Sequence, residues 1–95
     1  MTTIQNHSEY RALWLFALFD LPTKSREQKR AYTKFRKTLL AQGFAMLQYS
    51  VYARYCPDED SAATQRRAVR GGLPPEGQVR VMSMTDRQFG KIEVY

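Results

Sequence analysis

One cysteine and one histidine in 95 residues remove several kinds of chemistry at the outset. Cys56 has no second thiol to pair with, which excludes a disulfide framework and a cysteine-built zinc site and suits a reducing compartment. His7 lies in a polar, unpatterned stretch, so no Ser/His/Asp grouping and no histidine metal cluster can be assembled. The sequence has no P-loop and no Gly-x-Gly-x-x-Gly phosphate cradle. Long apolar runs are missing as well. The longest, 12–19, falls short of the ~20 residues a bilayer requires. It ends on Asp20 with no small-residue cleavage site behind it, which argues against a secretory signal. There is no repeat and no low-complexity tract. A cytoplasmic protein without a membrane partner is expected, with residues 1–9 as a loose leader and 10–95 as one domain. Acidic residues are the other shortage, nine against fifteen basic, for a formal net charge of +6.

What the chain does have begins with Leu13-Trp14-Leu15-Phe16-Ala17-Leu18-Phe19. Side chains of a strand alternate between faces, so Leu13, Leu15, Ala17 and Phe19 share one face and Trp14, Phe16 and Leu18 the other. Both faces are apolar, as in a strand covered on both sides. Ser25 and Gln28 form a capping-box pattern that opens a helix running to about Gln42, with Gly43 as its stop. The stretch 44–55 is rich in aromatic and β-branched residues but too long for one strand. It reads as two strands with a bend near Gln48–Ser50. A second helix opens at Pro57–Ser61 and stops at Gly71-Gly72. Strands follow at Gln78–Met84 and, briefly, at Ile92–Tyr95.

This order predicts an α+β fold, a ferredoxin-like βαββαβ sandwich with an additional short C-terminal strand. Both helices then cover the same sheet face, and the chain supplies little for the other. Three large apolar side chains left in water would forfeit several kcal/mol, at roughly 25 cal/mol per Å². A sheet-to-sheet homodimer is therefore expected.

The charge is focused. Residues 24–37 hold seven basic side chains and one acid, an excess of six that equals the formal charge of the whole chain. This helix face is either a solvated surface or a ridge that tracks phosphates without reading sequence. Lys24, Arg26, Lys29, Arg30, Lys34 and Lys37 are the candidate phosphate contacts, with Arg66, Arg67 and Arg70 behind them. No aromatic lies on the ridge, so base stacking is not indicated. Asp20, at the end of the apolar strand, is either a turn residue or a magnesium ligand. One aspartate makes a poor site, whereas two across a dimer axis would suit an ion that keeps several waters and takes one or two carboxylates. Asp58, Glu59 and Asp60 fit a helix start. Cys56, before a proline in a loop, has no assigned role.

Two resemblances follow from particular residues. Gln42–Tyr49 resembles the signature strand of RNA-recognition domains, but it falls directly after the first helix, starts on Gln42 and carries Met46 where an aromatic stacks. The stronger one rests on Leu18-Phe19-Asp20-Leu21-Pro22, the basic Tyr32-Thr33-Lys34-Phe35-Arg36-Lys37 with Gly43-Phe44, and Gln48-Tyr49-Ser50-Val51-Tyr52. Together they look like the CRISPR-associated protein two family, the small subunit of spacer acquisition. Leu73–Gly77 and Thr85–Gly90 resemble the branch accompanying the single-chain RNA-guided nuclease. The resemblance implies a homodimer with facing sheets and Asp20 as the magnesium ligand of nuclease-active members. It also implies an adaptor that bridges dimers of the integrase (CRISPR-associated protein one) and holds the middle of a double-stranded DNA prespacer. The leader before Tyr10 is longer than the family's usual one. The chain stops at Tyr95, in the tail that the family often uses to reach across the dimer or to the integrase. The leading expectation is this non-sequence-specific DNA-binding adaptor. The alternative is a magnesium-dependent endonuclease, on RNA or DNA, using paired Asp20. A toxin-like ribonuclease or RNA-binding module on the same fold is the third.

Overall fold

The computed structural model describes residues 12–95, so the expected leader at 1–9 lies outside the described residues. Strand β1 (Leu13–Asp20) runs down the centre of a four-stranded antiparallel sheet of order β2-β3-β1-β4, between β3 (Val51–Cys56) and β4 (Gln78–Thr85). Its predicted alternation holds. Leu15, Ala17 and Phe19 are buried against the helices, while Phe16 is buried on the opposite face between half-buried Trp14 and Leu18. Helix α1 (Arg26–Ala41) starts as its capping box requires: the Ser25 hydroxyl accepts from the Gln28 amide at 3.0 Å, and the Gln28 side chain accepts from the Ser25 amide at 3.0 Å. It ends at Gly43, whose φ of +89° favours glycine. A Cβ there would lie 2.9 Å from Arg54 Nε, which donates to the Gln42 carbonyl at 2.6 Å.

The aromatic stretch divides where the sequence suggests. Strand β2 (Ala45–Gln48) meets β3 through a turn at Ser50, φ +63°, with a register shift between Met46 and Gln48. Helix α2 (Glu59–Gly71) is capped by Asp58, whose carboxylate accepts from the Ser61 amide at 2.9 Å. Phe35 and Leu39 of α1 and Ala62 and Val69 of α2 close over Leu15, Ala17, Phe19, Tyr52 and Cys56 as one core. Cys56 is thus the buried last residue of β3 rather than a loop residue. The result is the ferredoxin-like arrangement, two helices on one face of a βαββαβ sheet.

Two expectations are corrected at the C-terminus. Residues 92–95 form no strand. Thr85 and Gln88 make a second capping box that starts a helical turn, α3 (Asp86–Phe89). The amides of Gly90, Lys91 and Ile92 then bond back to carbonyls of Asp86, Gln88 and Phe89, and residues 92–95 lie beside Leu47 and Gln48 of β2 without pairing with a strand. The chain also covers more of its outer sheet face than its composition suggests. Phe89 stacks on Trp14 with ring centroids 3.9 Å apart and planes 9° apart, and lies 5.9 Å from the Phe16 ring. Trp14 is also edge-on to Tyr55 at 5.5 Å and donates its indole N–H to Asp86 Oδ1 at 2.8 Å. Met82 and Tyr55, in register with Phe16 and Trp14, stay exposed on that face.

The single tryptophan reports this contact. Phe89→Ala should shift Trp14 emission to the red and cost about 2 kcal/mol of stability, from lost stacking and burial together. Fluorescence and chemical denaturation measure both, and an unmoved spectrum would count against the stack.

Candidate functional site

Asp20 ends β1 on the parity of Trp14, Phe16 and Leu18, so it belongs to the outer sheet face, and its side chain is exposed. The backbone on both sides of it is fixed. Phe19 donates its amide to the Ser50 carbonyl at 3.1 Å. Gly77, in the Pro74-Pro75-Glu76-Gly77 loop, presses against the Asp20 carbonyl. A Cβ on Gly77 would lie 2.7 Å from that oxygen and 2.7 Å from Leu21 Cδ2, and its φ is +92°. Leu21 packs against the core, and Gln28 of α1 donates to Glu76 at 3.1 Å, which holds the loop in place. The carboxylate is therefore free to meet solvent or a ligand while its main chain is held from two directions.

Among the described residues, no group of three His, Cys, Asp or Glu side chains could hold a metal. At this rim the Asp20 carboxylate would give a magnesium ion one ligand. That hard-oxygen donor suits the ion's preference, and a second carboxylate would complete a common magnesium arrangement.

The structure gathers five of the six predicted α1 cations. Arg26, Lys29, Arg30, Lys34 and Lys37 line one open, shallow hollow along the helix together with Thr33 and Thr38. Lys24 is exposed in the turn before the helix. The α2 cations lie elsewhere. Arg66 is paired with Glu59 at 2.6 Å, and Arg67 donates to Thr64 at 3.3 Å. Arg66 and Arg70 border a separate hollow with Leu73, Val79 and Val81.

Two features of this end of the sheet escape a reading of the sequence. One is Gly77, whose contact with Asp20 joins distant segments; the diproline loop was its only signal. The other is Tyr49. The residue is 74% exposed and its ring stacks on Tyr32 of α1, centroids 5.9 Å apart and planes 19° apart. The Tyr32 hydroxyl lies 3.3 Å from Ser50 Oγ. The Tyr32 hydroxyl, as a hydrogen-bond partner, holds the Tyr49 phenol above its ordinary value, so it stays neutral at physiological pH. No helix among the described residues is long and apolar enough to cross a membrane.

Comparison with known proteins now bears on this arrangement. A family model described as CRISPR associated protein Cas2 matches residues 13–92. The chain belongs to the Cas2 family. The CRISPR-associated endoribonuclease Cas2 of Flavobacterium psychrophilum is 41% identical over 88 residues, spanning 93% of this chain and 76% of the relative. A protein of the same name from Parvibaculum lavamentivorans is 45% identical over 83 residues, spanning 87% and 82%. One from Campylobacter jejuni is 40% identical over 86 residues, spanning 90% and 60%. Family membership makes this a protein of CRISPR systems, as the strand-end aspartate and the basic helix suggested.

Gly77→Ala tests how the aspartate is held. The side chain would have to displace main chain and adopt a left-handed conformation, so a loss of about 2 kcal/mol or more is expected. For a domain of this size that lowers the melting temperature by about 8 °C or more at fixed protein concentration. An unchanged melting temperature would mean the loop does not brace Asp20.

Proposed function

We propose that the protein acts as a homodimeric, magnesium-dependent endonuclease of the CRISPR system, cleaving RNA, with the Asp20 carboxylates of the two copies sharing one rim. The observation that carries this is the placement of Asp20. It is exposed, braced through its backbone, and on the same sheet face as the incompletely covered apolar side chains Trp14, Leu18, Tyr55 and Met82. Packing that face against a second copy would bury those side chains and bring two carboxylates to one interface. The names of the relatives, endoribonucleases, support the choice of RNA.

The residues divide the work. Asp20 of each copy would hold the ion, which when bound supplies an activated water and charge neutralisation at the phosphoryl oxygens. Arg26, Lys29, Arg30, Lys34 and Lys37 hold phosphates and set the position of the strand, with no sequence readout. The chain's one histidine, His7, lies outside the described residues, and among the described residues no imidazole base is at hand.

A second reading has its own observation. The basic row of α1 is open and regular enough to lie along a DNA backbone. That favours a non-catalytic adaptor in spacer acquisition, holding a double-stranded prespacer between integrase dimers (CRISPR-associated protein one).

Asp20→Ala separates the two. Light scattering should give the mass of two chains for wild type and variant alike at micromolar concentration. The variant should keep nucleic-acid binding and lose at least 100-fold in magnesium-dependent RNA cleavage. Retained cleavage would remove Asp20 from the chemistry, and normal spacer integration by the variant with its integrase would establish the adaptor role. Reversing Arg26 and Arg30 to glutamate should weaken duplex binding at least tenfold and reduce its salt slope by about two, one unit for each lost phosphate contact. Binding that does not change would eliminate this surface.

A further inference from the structure

The basic helix face carries no aromatic of its own, yet the fold brings one to its flank. Gln28 lies on one side of Tyr32 along α1 and reaches Glu76 beside β4. Lys29 and Arg36, three and four residues from Tyr32, lie on its other side at 3.6 residues per turn. The sheet order puts β2 at the edge opposite β4. The Lys29 and Arg36 flank therefore faces the β2 edge, where Tyr49 stands in the turn joining β2 to β3.

Tyr49 is held there. One ring face rests on Tyr32. The turn is fixed by the positive φ of Ser50, by the Phe19 amide on the Ser50 carbonyl, and by the contact of the Tyr32 and Ser50 hydroxyls. The residue is nevertheless 74% exposed, so much of its surface remains open to solvent. A largely exposed aromatic ring, pre-positioned beside cations, has the composition of a single-strand binding platform.

We infer that Tyr49, backed by Tyr32, is a stacking site for an unpaired nucleobase, with Lys29 and Arg36 meeting the adjoining phosphates. A nucleobase matches what is offered, since it is planar, it stacks on tyrosine without regard to its identity, and it brings the anionic backbone that the flank attracts. The site deepens the nucleic-acid reading above and rests on it. Asp20 belongs to the opposite sheet face at the same end, so Tyr49 is a binding residue upstream or downstream of the rim and not a catalytic one. A fully paired base has no free face to offer, so the site engages a single-stranded segment.

The test uses the full-length protein and two probes of equal length, a single strand carrying one 2-aminopurine and the corresponding duplex. Tyr49→Ala should weaken single-strand binding about tenfold, leave duplex binding within twofold, and abolish the stacking quench of 2-aminopurine fluorescence. Tyr49→Trp should preserve the quench and the affinity, and Tyr49→Leu, which keeps bulk but no π face, should behave like Tyr49→Ala. Equal losses on both probes, full affinity in Tyr49→Leu, or a change of oligomeric mass in the variants would overturn the site. A wild type that binds neither probe would overturn the nucleic-acid reading with it. A wild type that binds both and is indifferent to Tyr49 would overturn the stacking site alone.

Discussion

Burial on both faces of β1 is the constraint from which the rest of the structure follows. A central strand with large apolar side chains pointing both ways needs two covers. The first is furnished by α1 and α2, whose Phe35, Leu39, Ala62 and Val69 complete the core over Leu15, Ala17 and Phe19. The second is furnished only in part, by the turn of α3 that lays Phe89 on Trp14. The domain is thus closed on one side and half-closed on the other. The half-closed side is also the side on which the strand ends in its carboxylate.

That coincidence gives Asp20 its character. A carboxylate on a loop would be free to move, and one inside the sheet would be paired or pay a large desolvation penalty. Placed one residue beyond the last buried side chain, it keeps its water while its main chain takes the stiffness of the sheet. The brace comes from distant places, Ser50 at the β2–β3 turn and Gly77 before β4. The Ser50 turn also positions Tyr49 beside α1. One end of the sheet therefore holds an acidic group on one face and an aromatic on the other, fixed by shared backbone contacts.

The local parts of this architecture are legible in the sequence because local physics decides them. Ser25 with Gln28 announces a helix start, Gly43 its end, and the two-faced apolar run a central strand. Each outcome rests on interactions within a few residues. The split of 44–55 is legible for the same reason, since no ordinary strand accommodates that length. The misreadings share one cause. Ile92 and Val94 alternate as in a strand, but the capped turn at Thr85 starts α3, the next amides bond back onto it, and residues 92–95 pair with no strand. The cover that Phe89 gives Trp14 depends on where β4 ends beside β1, a relation set by topology. The basic row on α1 shows as periodicity in one helix, whereas its aromatic neighbour arrives from another segment and leaves no periodic trace. In the same way Asp20 is conspicuous as the residue that stops the strand, while the glycine that braces it is silent until the fold is assembled.

Electrostatics links the proposed pairing of copies to the proposed ion. Two carboxylates brought within about 5 Å at a partly shielded interface repel by roughly 3 kcal/mol, which works against the apolar gain of joining the sheets. A divalent cation held there would reverse the sign of that contribution, so in the proposed dimer ion binding and dimer formation would draw on the same free energy. The six-unit positive excess of the α1 segment has a different part in the balance. In the proposed function it would attract the polyanion over a distance limited to about 8 Å by physiological salt. On that proposal long-range attraction would belong to the helix and short-range chemistry to the rim. A fold this small can hold both because one short segment, from Asp20 through Ser25, connects the end of the sheet directly to the start of the basic helix.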